Sequence, residues 1–513
     1  MIVVYHKNNR ISKVVSAENK MVSFDKSGTI ASGLLQLATA FPQSRIVWCD
    51  EVCQEYLNLK HMEFLFHHDK MMLSYSPGDS TYFGRNIGYI EESPFIAINK
   101  KVSYPTWQMS SLVGVVHASL LLKIEGRIKS DNDFDYYLNS VAKVCMPLGL
   151  LCYSEPKLLT ETTIEKSSKA SVFDLFKFVK QHYKTRWLFL LLLNLVVYEF
   201  RFPVVAFIYA LFFKSRNKRL ISLDNIPVQS SRNVVQKATI DVIIPTIGRK
   251  KYLYDVLLNL SKQTHLPINV IIVEQNSEEG SVSELDYLHA EKWPFIIKHS
   301  FIHQAGACNA RNLALSQVES EWVFMADDDN RFDCDLLELV LNGIKKFGNE
   351  VVITFYPQKR ESKVFKEIIQ WPTFGGGNSF VKRTLLEKVK FNMAFEFGYG
   401  EDADFGMQLR NQGVDILYLP NPEILHLKAP MGGFRTKPVL ALDKDSIQPK
   451  PSPTVQLYKI LYLSPEQQKG YQMVLFFKYY SKQSFKNPLR YYLNYRKQWN
   501  QSVFWANQLK AKS

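Results

Sequence analysis

The 513-residue chain predicts an α/β protein built on a doubly wound, mostly parallel sheet, with an N-terminal α/β domain and helical membrane-associating segments. Three observations predict it. From Ala238 onward, short apolar runs alternate with amphipathic stretches, the pattern of successive βαβ units. Polar and acidic residues cluster just after those runs, where open α/β sheets bind ligands. Between residues 187 and 213 the sequence is far more apolar than an ordinary surface helix requires.

An apolar fraction of 46% and a charged fraction of 22% exclude a largely disordered chain. The length suffices for two or three domains with their own cores. The net charge of +14 (63 Lys and Arg against 49 Asp and Glu) points to an anionic partner: nucleic acid, a phosphorylated ligand or an acidic membrane face. Six scattered cysteines with no pair of C-x-x-C units read as reduced core thiols of a cytosolic protein. The opening Met1-Ile-Val-Val-Tyr-His-Lys-Asn-Asn-Arg10 is too short and polar for a secretory signal.

Residues 1–160 read as a mixed α/β domain. Ile2–Tyr5 and Arg45–Trp48 have strand character, and Gly33–Ala40 and Ser110–Lys123 are expected to be helical. Arg45-Ile-Val-Trp-Cys-Asp-Glu51 is a strand ending in acids, which raises the expectation of a second, degenerate domain of the kind that follows. Leu158–Ser171 is expected to be a linker. Residues 172–220 contain two apolar helices, at 187–198 and 203–213, separated by Glu199, Arg201 and Pro203. Two mid-run charges cost several kcal/mol at a bilayer centre, and each half is shorter than the roughly 20 residues of a span. With the basic flanks His182–Arg186 and Lys214–Arg219, a monotopic or re-entrant pair on an anionic surface is expected. A helix pair buried between domains is the alternative.

The third segment, 238–440, carries the chemistry. Thr239–Ile244, Ile268–Val273 and Trp322–Ala326 are near-continuous apolar strands, connected by helices at Tyr252–Gln263, Ala307–Gln317 and Leu336–Phe347. Their ends are Ile243-Ile-Pro-Thr-Ile-Gly-Arg249, Val273-Glu-Gln-Asn-Ser277 and Asp327-Asp-Asp329. A strand end projects alternate residues the same way, so Asp327 and Asp329 converge while Asp328 turns elsewhere. Two hard oxygen ligands suit Mg²⁺ or Mn²⁺; capping of the next helix is the alternative. Gly375-Gly-Gly-Asn378 allows close backbone approach to a ligand, or marks a bulge. Gly400-Glu-Asp-Ala-Asp-Phe405 places Glu401, Asp402 and Asp404 in a first helical turn. The macrodipole favours acids there without any function, which is the reading for Asp404; Asp402 or Glu401 is placed to take a proton from an attacking hydroxyl. His426 follows Asp415–Leu419 and Ile424–Leu425 and is either structural or a metal ligand.

In order, Ile-Pro-Thr (244–246), Glu-Gln-Asn-Ser (274–277), Gly-x-x-x-x-Arg-Asn-x-Ala (306–314), Asp-Asp-Asp (327–329), Gly-Gly-Gly-Asn (375–378), Gly-Glu-Asp-Ala-Asp-Phe (400–405) and His426 resemble the inverting family 2 glycosyltransferases of the GT-A fold over about 240–430. The resemblance implies a nucleotide-diphosphate sugar donor, a hexose or N-acetylhexosamine, and Mn²⁺ or Mg²⁺. It implies Asp402 as base with Glu401 beside it, and Asp327, Asp329 and His426 on the metal. Donor contacts would come from Pro245, Thr246, Arg249, Glu274, Asn276, Gly306, Arg311, Asn312, Asp327 and Asp328. Acceptor contacts would come from Trp371, Gly376, Gly377 and Asn378. Glu274 stands where the family usually has Asp. The expected acceptor is a glycan or lipid-linked glycan of cell-surface polysaccharide or glycoconjugate synthesis.

The aromatic and basic region 452–513, acid-free from Gln467 to Ser513, suits an interfacial helix on an anionic leaflet. Single-stranded nucleic acid would accept the same pattern. The apolar block at 187–213 favours the membrane, so the cytoplasmic face of the membrane and no nucleic-acid partner are expected. Two other classes compete: a nucleotidyltransferase on sugar phosphates, whose Gly-rich loop is missing after the first strand, and a non-catalytic membrane-associated scaffold, which should have lost acids at 327–329 or 401–402.

Overall fold

The computed structural model describes all residues except 17, 25–26, 79–80, 162–168, 218–219, 360, 430–439, 484–486 and 512–513. The expected linker at 158–171 and the end of the 238–440 segment therefore fall partly outside the described residues. The chain forms two compact units, Met1–Arg232 with Ser464–Leu475, and Asn233–Leu463 with Phe476–Ser513.

The first unit is built on β1 (Ile2–Lys7), β2 (Arg10–Ser16), β3 (Arg45–Asp50), β4 (Met71–Tyr75), β5 (Tyr104–Pro105), β6 (Val113–His117) and β7 (Leu151–Ser154). They form one mixed sheet in the order β2-β1-β3-β6-β4-β7-β5. The expected helix at Ser110–Lys123 is corrected: Val113–His117 is strand β6, and only Ala118–Ile124 is helical. Val113, Val115 and Val116 are β-branched, and β6 pairs on both sides, with β3 and β4. Such pairing overrides a local helical period.

Helices Thr185–Glu199 and Val204–Leu211 are joined at Phe200, whose φ of 54° ends the first helix. Leu188, Leu191, Leu195, Ala206 and Ala210 join the core of the first unit, while Phe189, Phe200, Phe202, Val205 and Phe212 remain exposed. Glu199 is not left in an apolar run: the Tyr89 hydroxyl donates to it at 3.1 Å and Arg201 pairs with it at 3.3 Å. Among the described residues, no helix is long and apolar enough to cross a membrane.

The second unit contains β8 (Ile240–Thr246), β9 (Asn269–Gln275), β10 (Ile296–Ile302), β11 (Trp322–Ala326), β12 (Asn330–Arg331), β13 (Val351–Phe355), β14 (Ile369–Gln370), β15 (Asn378–Lys382), β16 (Leu417–Glu423) and β17 (Leu425–His426). Eight of them form a sheet in the order β10-β9-β8-β11-β15-β13-β16-β14. β10, β9, β8 and β11 are parallel, β15 runs antiparallel between β11 and β13, and β13 is parallel to β16. This is the expected doubly wound α/β sheet. Its centre is dry: Trp322, Phe324 and Phe380 are fully buried, and the last two rings stack at 4.4 Å. Each such side chain contributes roughly 1.5–3 kcal/mol by leaving water, which holds the strand ends at fixed positions. The short ribbon of β12 and β17 sets Asn330 opposite His426.

In the C-terminal region, Leu457 on helix Pro453–Tyr462 and Ala506 on helix Pro488–Lys510 belong to the core of the second unit. Tyr491 and Tyr495 are buried against Phe476, whereas Tyr492, Leu493 and Phe504 are exposed. Five of the six cysteines are buried; Cys334 is exposed and corrects the reading of all six as core thiols.

Candidate active site

Strands β8 and β11 lie side by side and end together, which delivers Thr246 to the Asp327–Asp329 triplet. The Thr246 hydroxyl donates to Asp328 Oδ2 at 2.7 Å, and Arg249 Nη1 donates to Oδ1 at 2.6 Å. Asp328 is almost fully enclosed, and burial raises its carboxyl to about 6 against the opposing pull of Arg249. Asp328 thus turns away from its neighbours, as strand alternation requires, and anchors the loop.

Asp327 and Asp329 face the other way. Asp327 accepts from Arg311 Nη2 at 3.1 Å and from the Tyr356 hydroxyl at 3.0 Å. Asp329 Oδ2 accepts from the backbone N–H of Ala429 at 2.8 Å, and Arg249 stands 3.4 Å from the same oxygen. Its other oxygen, Oδ1, is buried without a hydrogen-bond partner among the described residues and lies 3.5 Å from His426 Nε2. One ligand atom each from Asp327, Asp329 and His426 falls within a 4.8 Å cluster. An unpaired buried carboxylate oxygen is costly without a cation, and two oxygens with an imidazole suit Mn²⁺ or Mg²⁺. The donor set therefore fits the expected ion. Tyr356 stacks on the His426 ring at 4.7 Å and fixes its plane.

The helix Glu401–Arg410 opens after Gly400, at a φ of 114°. Asp402 lies 3.8 Å from Arg311 Nη1, so Arg311 bridges Asp402 and Asp327. Burial raises Asp402, opposed by Arg311 and by the Gly376 backbone. Burial and then the charge of Asp402 raise Glu401 to about 7. Two acids with raised proton affinity beside one guanidinium can hold and exchange a proton near neutrality. Asp404 is buried and bonded by the Tyr462 hydroxyl at 2.7 Å and by Gln408 at 2.6 Å, which gives it a structural role.

The glycine run packs against these carboxylates. A Cβ on Gly376 would come within 2.6 Å of Asp402 Oδ1, and one on Gly377 within 2.6 Å of Asp327 Cγ. The close approach is thus between backbone and the carboxylates of Asp402 and Asp327.

A cleft of about 560 Å³ is lined by Pro245, Thr246, Arg249, Gly306, Arg311, Asp327, Asp328, Asp329, Glu401 and His426. Trp371 and Asn378 line a second cavity of about 700 Å³ with Phe365 and Tyr418. Glu274 is buried in a 3.0 Å pair with His299. Asn276 accepts from the backbone of Glu278, and Asn312 ties the backbone of Phe391 in both directions. Four neighbours lie outside the expected contact residues, Gln275 within a quoted motif and the other three outside any. Gln275 accepts from the Gly306 N–H at 2.6 Å, Glu396 accepts from the N–H groups of Cys308 and Asn309, and Tyr356 and Lys428 sit beside the metal cluster. Tyr356 follows an apolar strand and was findable by the strand-end rule; Glu396 carries no comparable local signal.

Residues 241–404 match the model of glycosyl transferase family 2. This segment is similar to the glycosyl transferase family 2 domain. An uncharacterized glycosyltransferase of Haemophilus influenzae is 30% identical over 122 residues, 24% of this chain and 40% of that protein. The glycosyltransferase GlyG of Streptococcus pneumoniae is 25% identical over 123 residues, again 24% of this chain and 40% of that protein. The chain thus spans 40% of the length of these two relatives. A cholesterol galactosyltransferase of Borreliella burgdorferi is 25% identical over 217 residues, 37% of this chain and 60% of that protein. The triplet, the glycine run and Glu401–Asp402 all lie inside the family 2 segment; His426 lies beyond it.

Proposed function

We propose that the protein is a metal-dependent inverting glycosyltransferase that moves a hexose or N-acetylhexosamine from a nucleotide-diphosphate donor to a glycan or lipid-linked acceptor. The observation that carries the reading is the convergence of Asp327, Asp329 and His426 with Arg311 and Asp402 at one rim. Bound by these three ligands, Mn²⁺ or Mg²⁺ would act as a Lewis acid toward the departing nucleoside diphosphate. The residues of this chain do the rest. Arg249 and Thr246 hold the loop through Asp328, and Arg311 fixes Asp327 relative to Asp402. The Asp402 carboxylate takes the proton of the acceptor hydroxyl as that oxygen forms the new bond at the anomeric carbon and the diphosphate leaves from the opposite face. Burial strengthens Asp402 as a base. The galactosyltransferase relative supports a hexose and a lipid-bearing acceptor.

We assign the protein to the cytoplasmic face of an anionic membrane. Support comes from the exposed Phe189, Phe200, Phe202, Val205 and Phe212 beside Lys184, Arg186 and Lys214. Screening nucleotide sugars for Mn²⁺-dependent hydrolysis and thermal shift tests the activity; no stabilisation by any donor would reject it. Liposome flotation should show binding to anionic vesicles that weakens in high salt. Equal recovery with neutral and anionic lipid would remove the electrostatic component.

A further inference from the structure

Six strands of the first unit repeat six strands of the second in chain order, sheet order and direction. β1, β3, β4, β5, β6 and β7 lie as β1-β3-β6-β4-β7-β5, and β8, β11, β13, β14, β15 and β16 lie as β8-β11-β15-β13-β16-β14. Parallel and antiparallel pairings agree at all five junctions.

The register agrees as well. Cys49 pairs with Val113 as Ala326 pairs with Asn378. Ser74 pairs with Gly114 and Ser154 as Ile353 pairs with Ser379 and Tyr418. Tyr104 pairs with Ser154 as Ile369 pairs with Tyr418. The segments Tyr104–Val113 and Ile369–Asn378 are then equal in length, without insertion.

This register superposes functional positions. Asp50 follows Cys49, the last residue of β3 to pair with β6, as Asp327 follows Ala326, the last residue of β11 to pair with β15. Asp135 is the second residue of helix Phe134–Cys145, which leads into β7; Asp402 is the second residue of helix Glu401–Arg410, which leads into β16. Ser111 occupies the place of Gly376, and both its N–H and its hydroxyl donate to Asp135, at 2.7 and 2.8 Å. Gly376 lies against Asp402 in the same way.

The donor side has not been kept. β2 makes an antiparallel hairpin where β9 and β10 build the parallel half of the second sheet. Val52 stands in the place of Asp329, helix Ile30–Ala40 has no counterpart of Arg311, and no histidine follows β7 before Ser171. What is left is a pocket of about 60 Å³ lined by Asp50, Ser74, Tyr104, Gln108, Ser111 and Asp135. Tyr82 also lines it. That volume holds about four waters, or the hydroxylated edge of one sugar ring, and is far too small for a nucleoside diphosphate. Carboxylates, hydroxyls and an amide are partners for sugar hydroxyls.

We propose that the first unit is a second transferase-type domain that has kept the acceptor side of the fold and lost the donor side, and that its pocket binds a neutral saccharide and no nucleotide sugar. The comparison rests on the transferase reading of the second unit. The test uses the full chain and two probes. Calorimetry with UDP-glucose and UDP-N-acetylglucosamine in Mn²⁺ should give one site per chain, abolished by Asp329→Ala. Two sites, or a Mn²⁺-dependent site surviving Asp329→Ala, would overturn the loss of the donor side. Saturation-transfer NMR with galactose, glucose, N-acetylglucosamine and lactose should give a signal that survives Asp329→Ala and falls at least tenfold in Asp135→Asn. Asp135 also supports Ser111, so Gln108→Ala and the pocket-filling Ser76→Trp, at a residue that also lines the pocket, give the same reading at less buried positions. A saccharide signal indifferent to all three, or none at all, would overturn the pocket assignment. Wild-type protein that binds saccharide but no nucleotide sugar would instead remove the transferase reading of the second unit.

Discussion

Replacing Gly377 by alanine adds one methyl group at the most crowded point of the site. The φ of Gly377 is not in the left-handed region, so the backbone itself accepts alanine. The new Cβ would sit 2.6 Å from Asp327 Cγ and 2.8 Å from the Tyr356 hydroxyl, and closer still to Asp327 Oδ2. Carbon contacts relax near 3.5–4.0 Å, so the Asp327 carboxylate must move by about 1 Å. That motion breaks its bonds from Arg311 and Tyr356, both near 3 Å. Displacements of this size cost about 10²-fold in catalysis, and disturbed support of a metal ligand costs about 10–100-fold in metal affinity. Gly377→Ala should therefore raise the Mn²⁺ concentration for half-maximal activity at least tenfold and lower kcat/KM for donor about 100-fold. The melting temperature should change by only a few degrees. Metal titrations of donor hydrolysis, with thermal melts alongside, measure both. Unchanged metal dependence in a folded variant would show that Asp327 is not a ligand and that the glycine serves only the turn.

Asp402→Asn should abolish transfer while donor binding by calorimetry stays within a few-fold; lost donor binding with turnover intact would contradict its role as base. Asp329→Ala should remove the Mn²⁺-dependent part of donor affinity, and an unchanged calorimetric Mn²⁺ dependence would refute the ligand assignment. Arg249→Met leaves Asp328 enclosed without its cation, and breaking such a pair costs about 3–5 kcal/mol. Adding Asp328→Asn should recover part of that loss, so additive losses in urea melts would refute the pairing. Glu401, raised to about 7, contributes stability at low pH that is lost as pH climbs through 7. Glu401→Gln should therefore be more stable than the parent at pH 8, by about 1–3 kcal/mol, and no more stable at pH 4; equal gaps at both would show that Glu401 is not perturbed.

What was legible in the sequence followed from burial on both faces of a strand. Trp322–Ala326 and Leu336–Phe347 were read with the bounds they have, because an unbroken apolar run and a strong helical period leave no other solution. β10, Ile296–Ile302, went unread because this edge strand is only partly buried, and His299 and Ser300 interrupt its apolar character. β6 was absorbed into a helix, since its partners β3 and β4 are distant in sequence. In the site, residue types and order marked Asp327, Asp329, His426 and Asp402, but not who holds them. Tyr356 against His426 and Glu396 across the start of helix Ala307–Leu315 are tertiary facts with no local period.

The charges around the triplet also explain why three adjacent aspartates are tolerated. Their surroundings differ. Asp328 spends its charge on Arg249 and Thr246 inside the protein, and Asp327 shares Arg311 with Asp402. Asp329 is as buried as Asp328, yet one of its oxygens meets no hydrogen-bond donor among the described residues. Had the triplet been a helix cap, its oxygens would have been taken by the N–H groups of the next helix. That helix starts only at Leu336, after Asp335, and its first residue donates its backbone N–H to the Asp333 carbonyl. The unpaired oxygen of Asp329 instead faces the imidazole of His426, which the β12–β17 ribbon carries back to the rim. Repulsion along the triplet is thus resolved twice by arginine, and the remaining charge is directed to the one position where oxygen and nitrogen ligands converge.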